Sequence, residues 1–516
     1  MTAFLGIDVG TSATKALLCD YRGTVLASAA APHTLLQPAP GWTEQDPRAW
    51  WDAALRAVRE CLASARIDPA RVASLALSGQ MHGSVIVGEG PDPDDPPVLR
   101  PAILWNDQRT SAECAEIERL MGGRAACVRA LGNAPLTGFT LPKILWVRSN
   151  EPQLWRRARA VMLPKDYIRL RMTGIPGTDV GDASGTLLLD PRTRNWSREA
   201  LTRFDLDRAM LPDIHESCAR VGQLRPAPAA AMGLTPRIPV AAGSGDNQCG
   251  AAGAGVVEPG TMLATLGTSG VLYAPSPSCR IDRGDDRTPA GRAHTFCAGD
   301  GTPDHPGSWC LTGCMLSAAG SLQWARDQLW PEASFASLLE EASHAPVGCE
   351  GLIFLPYLTG ERCPHPDPRA RGGWIGLTAR HTRAHLVRSI VEGVTFAMRE
   401  ILDIMDAMGV SPRVIRLGGG GSRSPFWRQL QADVYGRQVE LPTTDEGPAF
   451  GAALMAGVAS GAWASLAEAC RATIQVGESR DPSGESASRL DLAREVYSSL
   501  YPRLRDRWEG LATLAE

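Results

Sequence analysis

Two stretches of this chain, roughly half its length apart, repeat one pattern. Phe4 to Val9 is an apolar run that meets Gly10-Thr11-Ser12 and resumes as Ala13 to Cys19, and Met262 to Leu266 passes through Gly267-Thr268-Ser269-Gly270 into Val271-Leu272-Tyr273. Each reads as two strands joined by a tight glycine turn. A single hairpin constrains little, but a matched pair predicts a duplicated architecture with a boundary near Gly255 to Pro259. The first hairpin continues through Asp20 to Gly23 into Thr24 to Ala29, so the chain opens with an antiparallel meander.

Helical signals alternate with these strands. Asp46 is placed to cap a helix from about Pro47 to Ala63, with proline at its first position and Trp50, Trp51, Ala54 and Val58 on one face. A buried strand, Val72 to Leu77, follows, then strands near Ile103 and Val240 and helices near Ala112 and Tyr167. The expectation is a mixed α/β fold. No charge occurs between Glu446 and Glu468. That stretch is mostly Ala, Gly and Ser, too weakly apolar for a membrane, and predicts a buried, closely packed helix. Gly90 to Pro97 and Ser276 to Pro306 are rich in Pro, Gly and Asp and read as mobile surface loops.

The 516 residues carry a net charge of −4, which excludes a basic nucleic-acid binder on bulk electrostatics. Thirteen scattered cysteines, and a first hydrophobic run interrupted by Asp8, point to reduced thiols and a cytoplasmic address without a membrane.

Three glycine turns share a chemical logic, because glycine lets backbone N–H groups approach an anion unobstructed. They are Gly10-Thr11-Ser12, Gly267-Thr268-Ser269-Gly270 and Gly418-Gly419-Gly420-Gly421. Each alone suits a plain hairpin; together they favour phosphate binding. Asp8 adds a carboxylate at a strand end beside the first turn, where Mg²⁺ accompanying nucleotide phosphates would sit. Neither a Gly-x4-Gly-Lys-Ser/Thr loop nor a Gly-x-Gly-x-x-Gly strand-to-helix turn occurs. The third turn runs into Ser424-Pro425, a helix start whose N–H groups face outward for a ligand. Gly447-Pro448-Ala449 opens the uncharged helix, where small residues suit either a flat adenine ring or close helix packing.

Asp246 follows a strand and the Gly243-Ser244-Gly245 turn, at the expected N-terminus of a helix. A helix-capping role fits it, as does proton acceptance, with the helix dipole keeping the carboxylate ionised near neutral pH. Gln80, Met81 and His82, with Trp105, Asn106 and Asp107, lie where the chain leaves strands; with Asp246 they suggest a polyol pocket. His82 alone would be an ordinary hydrogen-bonded histidine. His294, Cys297, His305, Cys310 and Cys314 match no common zinc spacing. His381 and His385, one helical turn apart beside Arg380 and Arg383, read as a solvated basic face.

In order, Gly6-Ile7-Asp8-Val9-Gly10-Thr11-Ser12, Trp42-Thr43-Glu44-Gln45-Asp46-Pro47, Gly79-Gln80-Met81-His82-Gly83, Ile103-Leu104-Trp105-Asn106-Asp107, Leu163-Pro164-Lys165-Asp166-Tyr167, Gly245-Asp246-Asn247, Gly267-Thr268-Ser269-Gly270 and Gly418-Gly419-Gly420 form a series. It resembles the FGGY sugar-kinase family of the actin-like ATPases, and within it the branch acting on D-xylulose. The resemblance covers roughly Phe4 to Gly461. It implies two ribonuclease-H-like domains, 1–256 and 257–516, with ATP and a sugar in the cleft between them. Asp246 would then be the catalytic base, and Met81 and His82 would contact the ketose. Asp8 would serve Mg²⁺, Gly10, Thr11, Gly267 and Thr268 the phosphates, and Gly419 and Gly420 the adenosine. The family pattern commonly has Thr at the position of Cys363, and Gly421 lengthens the third glycine run. Kinases of other polyols, a non-catalytic nucleotide switch and the oligomeric state, a homodimer among the options, stay open.

Overall fold

The computed structural model describes residues 2–90, 95–443, 446–484 and 487–514. Ala3–Val9, Ala13–Asp20 and Val25–Pro32 form the meander, each strand antiparallel to the one before. Ala3–Val9 pairs on its other side with Val72–Gly79 in parallel, and that strand pairs in parallel with Pro239–Ala241. The connecting helix, Pro47–Ala65, begins as its cap predicts: Asp46 accepts the Arg48 N–H and Pro47 occupies the first turn. Trp50, Ala54 and Val58 recur every four residues, one stripe of a 3.6-residue period, and are fully buried in the core with Leu5, Ile7 and Leu75.

The second half repeats this order. Thr261–Leu266 is antiparallel to Gly270–Ser276, which is antiparallel to Trp309–Met315. On its other side Thr261–Leu266 runs parallel to Val414–Gly418, and that strand parallel to Gln438–Pro442. The five strands named in each half therefore lie in the same order, with the middle strand of each meander reversed, and further strands flank them: Arg220–Gln223 beside Pro239–Ala241 in the first sheet, and Val476–Arg480 beside Gln438–Pro442 in the second. The duplication seen in two glycine turns extends to whole ribonuclease-H-like domains.

The uncharged stretch is the buried helix Pro448–Ser460, and it belongs to the other half's sheet. It packs on Ala3–Val9 and Val72–Gly79 and on the helix Asp246–Gly253. Ser74 Oγ donates to the Ala456 carbonyl at 2.6 Å. A Cβ on Gly6 would overlap the Ala449 carbonyl oxygen, so the sequence's small residues serve backbone-to-backbone approach. The helix is thus structural, with only its start, Gly447 and Pro448, on a cavity.

Within Ser276 to Pro306 residues 277–293 and 298–306 carry no helix or strand, as the composition predicts, but the stretch is tied down and contains a strand. His294–Cys297 is an edge strand antiparallel to Trp309–Met315. The Asp282 carboxylate accepts the Arg292 N–H at 2.7 Å and pairs with the Arg292 guanidinium at 3.0 Å, closing the loop that precedes the strand. From the first half, the Asn133 amide bonds both the N–H and the C=O of Thr295, each at 2.9 Å. Pro, Gly and Asp mark turns here, and they flank a strand rather than replace it. Of the other expected loop, Gly90 to Pro97, positions 91–94 lie outside the described residues.

Candidate active site

Two carboxylates meet where the strands of the first sheet end. Ser244 and Gly245 pair in parallel with Ser78 and Gly79, and Gly79 lies opposite Val9, so the helix Asp246–Gly253 starts beside the Asp8 strand end. Gly243 makes this turn possible: its φ is +68°, and a Cβ there would overlap the Leu77 carbonyl. Gly245 is the N-cap and Asp246 the first helical residue, so Asp246 does not cap the helix.

The turn is braced from behind by a buried ionic cluster. One Asp179 oxygen accepts Ser244 Oγ at 2.7 Å, Ser217 Oγ at 2.8 Å and the Gly181 N–H at 2.8 Å. Lys165 bridges Asp166 at 2.6 Å and Asp179 at 2.8 Å. Burial opposes the Lys165 charge, yet Asp166, Asp179 and Asp182 outweigh it and hold its pKa above the usual range. Burial, reinforced by neighbouring carboxylates, drives Asp182 the opposite way from an ordinary acid, well up.

The helix start does not by itself hold the Asp246 carboxyl in the ordinary acid range that the sequence led one to expect. Burial, then the charge of Asp8, raises it to about 7, against which two backbone N–H bonds in the first turn act only weakly. A dipole effect is worth at most about 2 kcal/mol, whereas one pKa unit is about 1.4 kcal/mol and the net shift exceeds two units. Burial likewise lifts Asp8 to about 6 despite the pull of Lys15. Asp8 Oδ1 is buried without a partner. An unpaired carboxylate oxygen beside a second carboxylate fits a hard divalent cation that keeps most of its waters. Among the described residues no cluster of three or more His, Cys, Asp or Glu suits a metal, the His294 to Cys314 set included.

The second and third glycine turns border two cavities. The one of about 380 Å³ is lined by Asp246, Asn247, Thr265, Gly418 and Gly419. The other, of about 690 Å³, is lined by Gly267, Thr268 and Gly420 with an apolar wall that includes Leu322, Phe335 and Phe426. Among the described residues the N–H groups of Thr11, Ser12, Thr268 and Ser269 have no acceptor, while the carbonyls of Gly267 and Thr268 are held by Ala319 and Ala318 at the start of the next helix. Thr11 is fixed by its neighbours: its hydroxyl accepts Trp105 Nε1 at 3.0 Å and donates to Gln80 Oε1 at 3.3 Å, and Gln45 Nε2 donates to its carbonyl at 2.6 Å. Gln80 and Trp105 therefore brace the first turn.

Asn247 Nδ2 donates to Met81 Sδ at 3.4 Å, which joins the Gln80-Met81-His82 segment to the Asp246 helix. His82 has a left-handed backbone, φ +71°, and its carbonyl accepts Thr140 Oγ1 at 3.0 Å and Lys143 Nζ at 2.9 Å. Its Nδ1 meets the Gly185 carbonyl at 2.7 Å; a carbonyl only accepts, so Nδ1 carries the proton and Nε2 offers a lone pair. Burial keeps this imidazole neutral, its pKa well down. Asn106 is half-exposed and accepts Thr43 Oγ1 at 2.8 Å. Asp107 is a correction. It is fully buried, with its oxygens taken by the Thr43 N–H and by a two-pronged bond to Arg109, because a carboxylate two residues before an arginine folds back on it. Both its oxygens are thus already engaged within the protein.

Sequence reasoning missed Lys143, whose signal was a lone charge in the apolar run Leu141-Pro142-Lys143-Ile144-Leu145. It also missed Glu361, which accepts the Leu316 N–H at 3.0 Å and the Arg362 N–H at 2.7 Å and is raised by burial to about 8. His381 and His385 are not a helical face: the helix begins at Arg383, and His385 closes a capping box with Thr382.

Comparisons with known proteins agree with this arrangement. The N-terminal domain model of the FGGY family of carbohydrate kinases matches residues 3–253 and the C-terminal domain model residues 262–460. The chain is 39% identical to the xylulose kinase of Escherichia coli strain K12 over 503 residues, 97% of this chain and 99% of that one. To the xylulose kinase of Bacillus subtilis strain 168 it is 35% identical over 506 residues, 98% of each. A crystal structure described as a xyloylose kinase from Brucella ovis superposes with a TM-score of 0.89 at 35% identity, covering 98% of this chain and 99% of that one. With two ribonuclease-H-like halves, paired glycine turns and a carboxylate at the helix start between them, this chain belongs to the FGGY family of carbohydrate kinases.

Proposed function

We propose that this chain transfers the γ-phosphoryl group of ATP to the terminal 5-hydroxyl of D-xylulose, with Asp246 as general base and Asp8 as the holder of Mg²⁺. One observation carries the reading: in a chain similar from end to end to xylulose kinases, the carboxyl with a pKa of about 7 opens onto a cavity bounded by the third glycine run. A base with that pKa is half-ionised at neutral pH, where general-base catalysis is most effective. Phosphoryl transfer has a loose transition state, so the acceptor hydroxyl needs orientation and a site for its proton more than strong basicity. Asp246 supplies both, held in place through Ser244 and Asp179.

The unbonded N–H groups of Thr11, Ser12, Thr268 and Ser269 are the donors assigned to the phosphate oxygens. Bound at Asp8, Mg²⁺ supplies positive charge to those oxygens. The larger apolar cavity takes the adenine ring, with Gly419 and Gly420 at the adenosine. Met81 and His82 take the ketose. The division at residues 256 and 257 separates the half that holds the sugar from the half that holds the nucleotide. All thirteen cysteines are free thiols, which supports a cytoplasmic setting. Among the described residues no helix is long and apolar enough to cross a membrane.

Sugar-dependent ADP release across D-xylulose, D-ribulose, glycerol and gluconate tests the reading. D-xylulose should give the highest kcat/KM, and Asp246→Asn should lower kcat by about 10²-fold or more without unfolding the protein. Preference for another acceptor, or near wild-type turnover by the variant, overturns it.

A further inference from the structure

The edge strand His294–Cys297 belongs to the second half yet is bound to the first. Besides the Asn133 amide on Thr295, Ser184 Oγ accepts the Cys297 N–H at 3.0 Å, and Arg124 Nε donates to the Ala290 carbonyl at 2.8 Å. Residues Ser184 to Thr186 also carry the Gly185 carbonyl that fixes His82. Alternation along a strand puts His294 and Phe296 on one face. That face meets the sugar-side segment: Phe296 and His294 rings lie 5.9 Å apart and stacked, Phe139 is 5.5 Å from His294, and His82 is 4.9 Å from Phe139 and 6.3 Å from Phe296.

Within this aromatic cluster His294 is 5% exposed, and neither ring nitrogen has a hydrogen-bond partner. A neutral imidazole carries one donor and one acceptor, and native interiors rarely leave both unmet. The Arg362 guanidinium acts on both His294 and His82, so the two rings share one polar locality. Phe139 and Phe296 offer only faces and edges. What would satisfy His294 is a small hydroxylated ligand reaching past His82.

We propose that His294 contacts the sugar, binding the hydroxyl at the end remote from phosphoryl transfer, the C1 hydroxyl of D-xylulose. The assignment rests on the reaction proposed above, which places the C5 hydroxyl at Asp246. Beside Asp246 a line of side-chain contacts runs from Asn247 to Met81, and the adjoining His82 packs on Phe139 and Phe296, which meet His294. His294 closes its far end. A strand from the nucleotide-holding half thereby completes the sugar pocket of the other half, and substrate length is read between the two.

The test compares D-xylulose with 1-deoxy-D-xylulose, which lacks only the C1 hydroxyl, in the wild type, His294→Phe and His294→Gln. The wild type should favour D-xylulose by about tenfold or more in kcat/KM, the loss typical of removing one hydroxyl from a site built to bond it. His294→Phe, which keeps the aromatic packing, should bring that ratio close to one, mainly through a higher KM for D-xylulose and with KM for ATP within about twofold of wild type. His294→Gln, which retains a donor and an acceptor, should restore part of the preference. Titration of D-xylulose into each full-length protein without nucleotide should show the same order of affinities. An unchanged ratio in His294→Phe, in a wild type that phosphorylates D-xylulose, overturns this inference alone. Failure of the wild type to phosphorylate either ketose overturns the reaction and this inference with it.

Discussion

The charge of Asp8 acts on Asp246: after burial it is the next largest force lifting that carboxyl to about 7. The two residues come from opposite ends of the first domain and are brought together by the pairing of Val9 and Ser244-Gly245 on either side of Gly79. Because kcat/KM reports the free enzyme, its pH profile should have an acid limb near 7, with activity falling tenfold per unit below it. In Asp8→Asn the repulsion is gone, so Asp246 ionises more readily and the limb should move to lower pH, whatever the residual rate. A limb that stays in place would show that Asp246 does not set it.

Lys143 holds the carbonyls of His82 and Gly138 at 2.9 and 2.6 Å, and burial pushes its own pKa well down. Lys143→Met should loosen the left-handed backbone at His82. KM for the sugar is expected to rise about tenfold while KM for ATP stays within about twofold. Removing one such bond costs about 1–3 kcal/mol where a buried acceptor is left unmet, and Thr140 still serves the His82 carbonyl. Steady-state kinetics with each substrate varied in turn gives the comparison.

Glu361 is raised to about 8 by burial, against an ordinary value of 4.5, and its second oxygen has no partner. A carboxyl raised on folding binds its proton more tightly in the native state. Its contribution is therefore complete below pH 4.5 and is lost as pH climbs through about 8. Across that window it should erode stability by at most about 1.4 kcal/mol per pH unit. Denaturant melts between pH 5 and 8.5 should slope downward in the wild type and be flatter in Glu361→Gln, which keeps the oxygen that the Leu316 and Arg362 N–H groups need.

Gly6 and Gly373 offer a matched pair. A Cβ at Gly6 would overlap the Ala449 carbonyl, whereas a Cβ at Gly373 would meet nothing within 4 Å. Gly6→Ala should destabilise by about 3 kcal/mol or more through forced separation of strand and helix. Gly373→Ala should stay within about 1 kcal/mol of wild type. Thermal or denaturant unfolding of both variants separates packing from mere loss of glycine.

Local chemistry made much of this molecule readable in its sequence. Asp46 and Pro47 announce their helix, and Gly10-Thr11-Ser12 and Gly267-Thr268-Ser269 announce their hairpins, because caps and tight turns involve residues a few positions apart. What was hidden depends on distant partners. Ser276 to Pro306 has the composition of a loop, but within it Asn133 and Ser184 of the other half dock residues 294–297 as a strand. Asp107 resembles a ligand donor until Arg109 folds onto it. Asp246 was rightly placed at a helix start, yet its protonation is set by Asp8 and by burial, neither visible in its own segment. His294 gave no signal beyond an irregular metal-like spacing.

The helix Pro448–Ser460 covers the sheet that contains the first residues of the chain. A nascent polypeptide leaving the ribosome therefore carries an uncovered apolar face, lined by Phe4, Leu17 and Ala76, until the region near Ser460 has been made. For most of synthesis the first domain lacks its lid, so chaperone protection or delayed compaction is built into the order of the sequence. Cutting the gene at the apparent domain boundary would release two fragments, one with a greasy scar and the other with an orphaned helix, rather than two independent folding units.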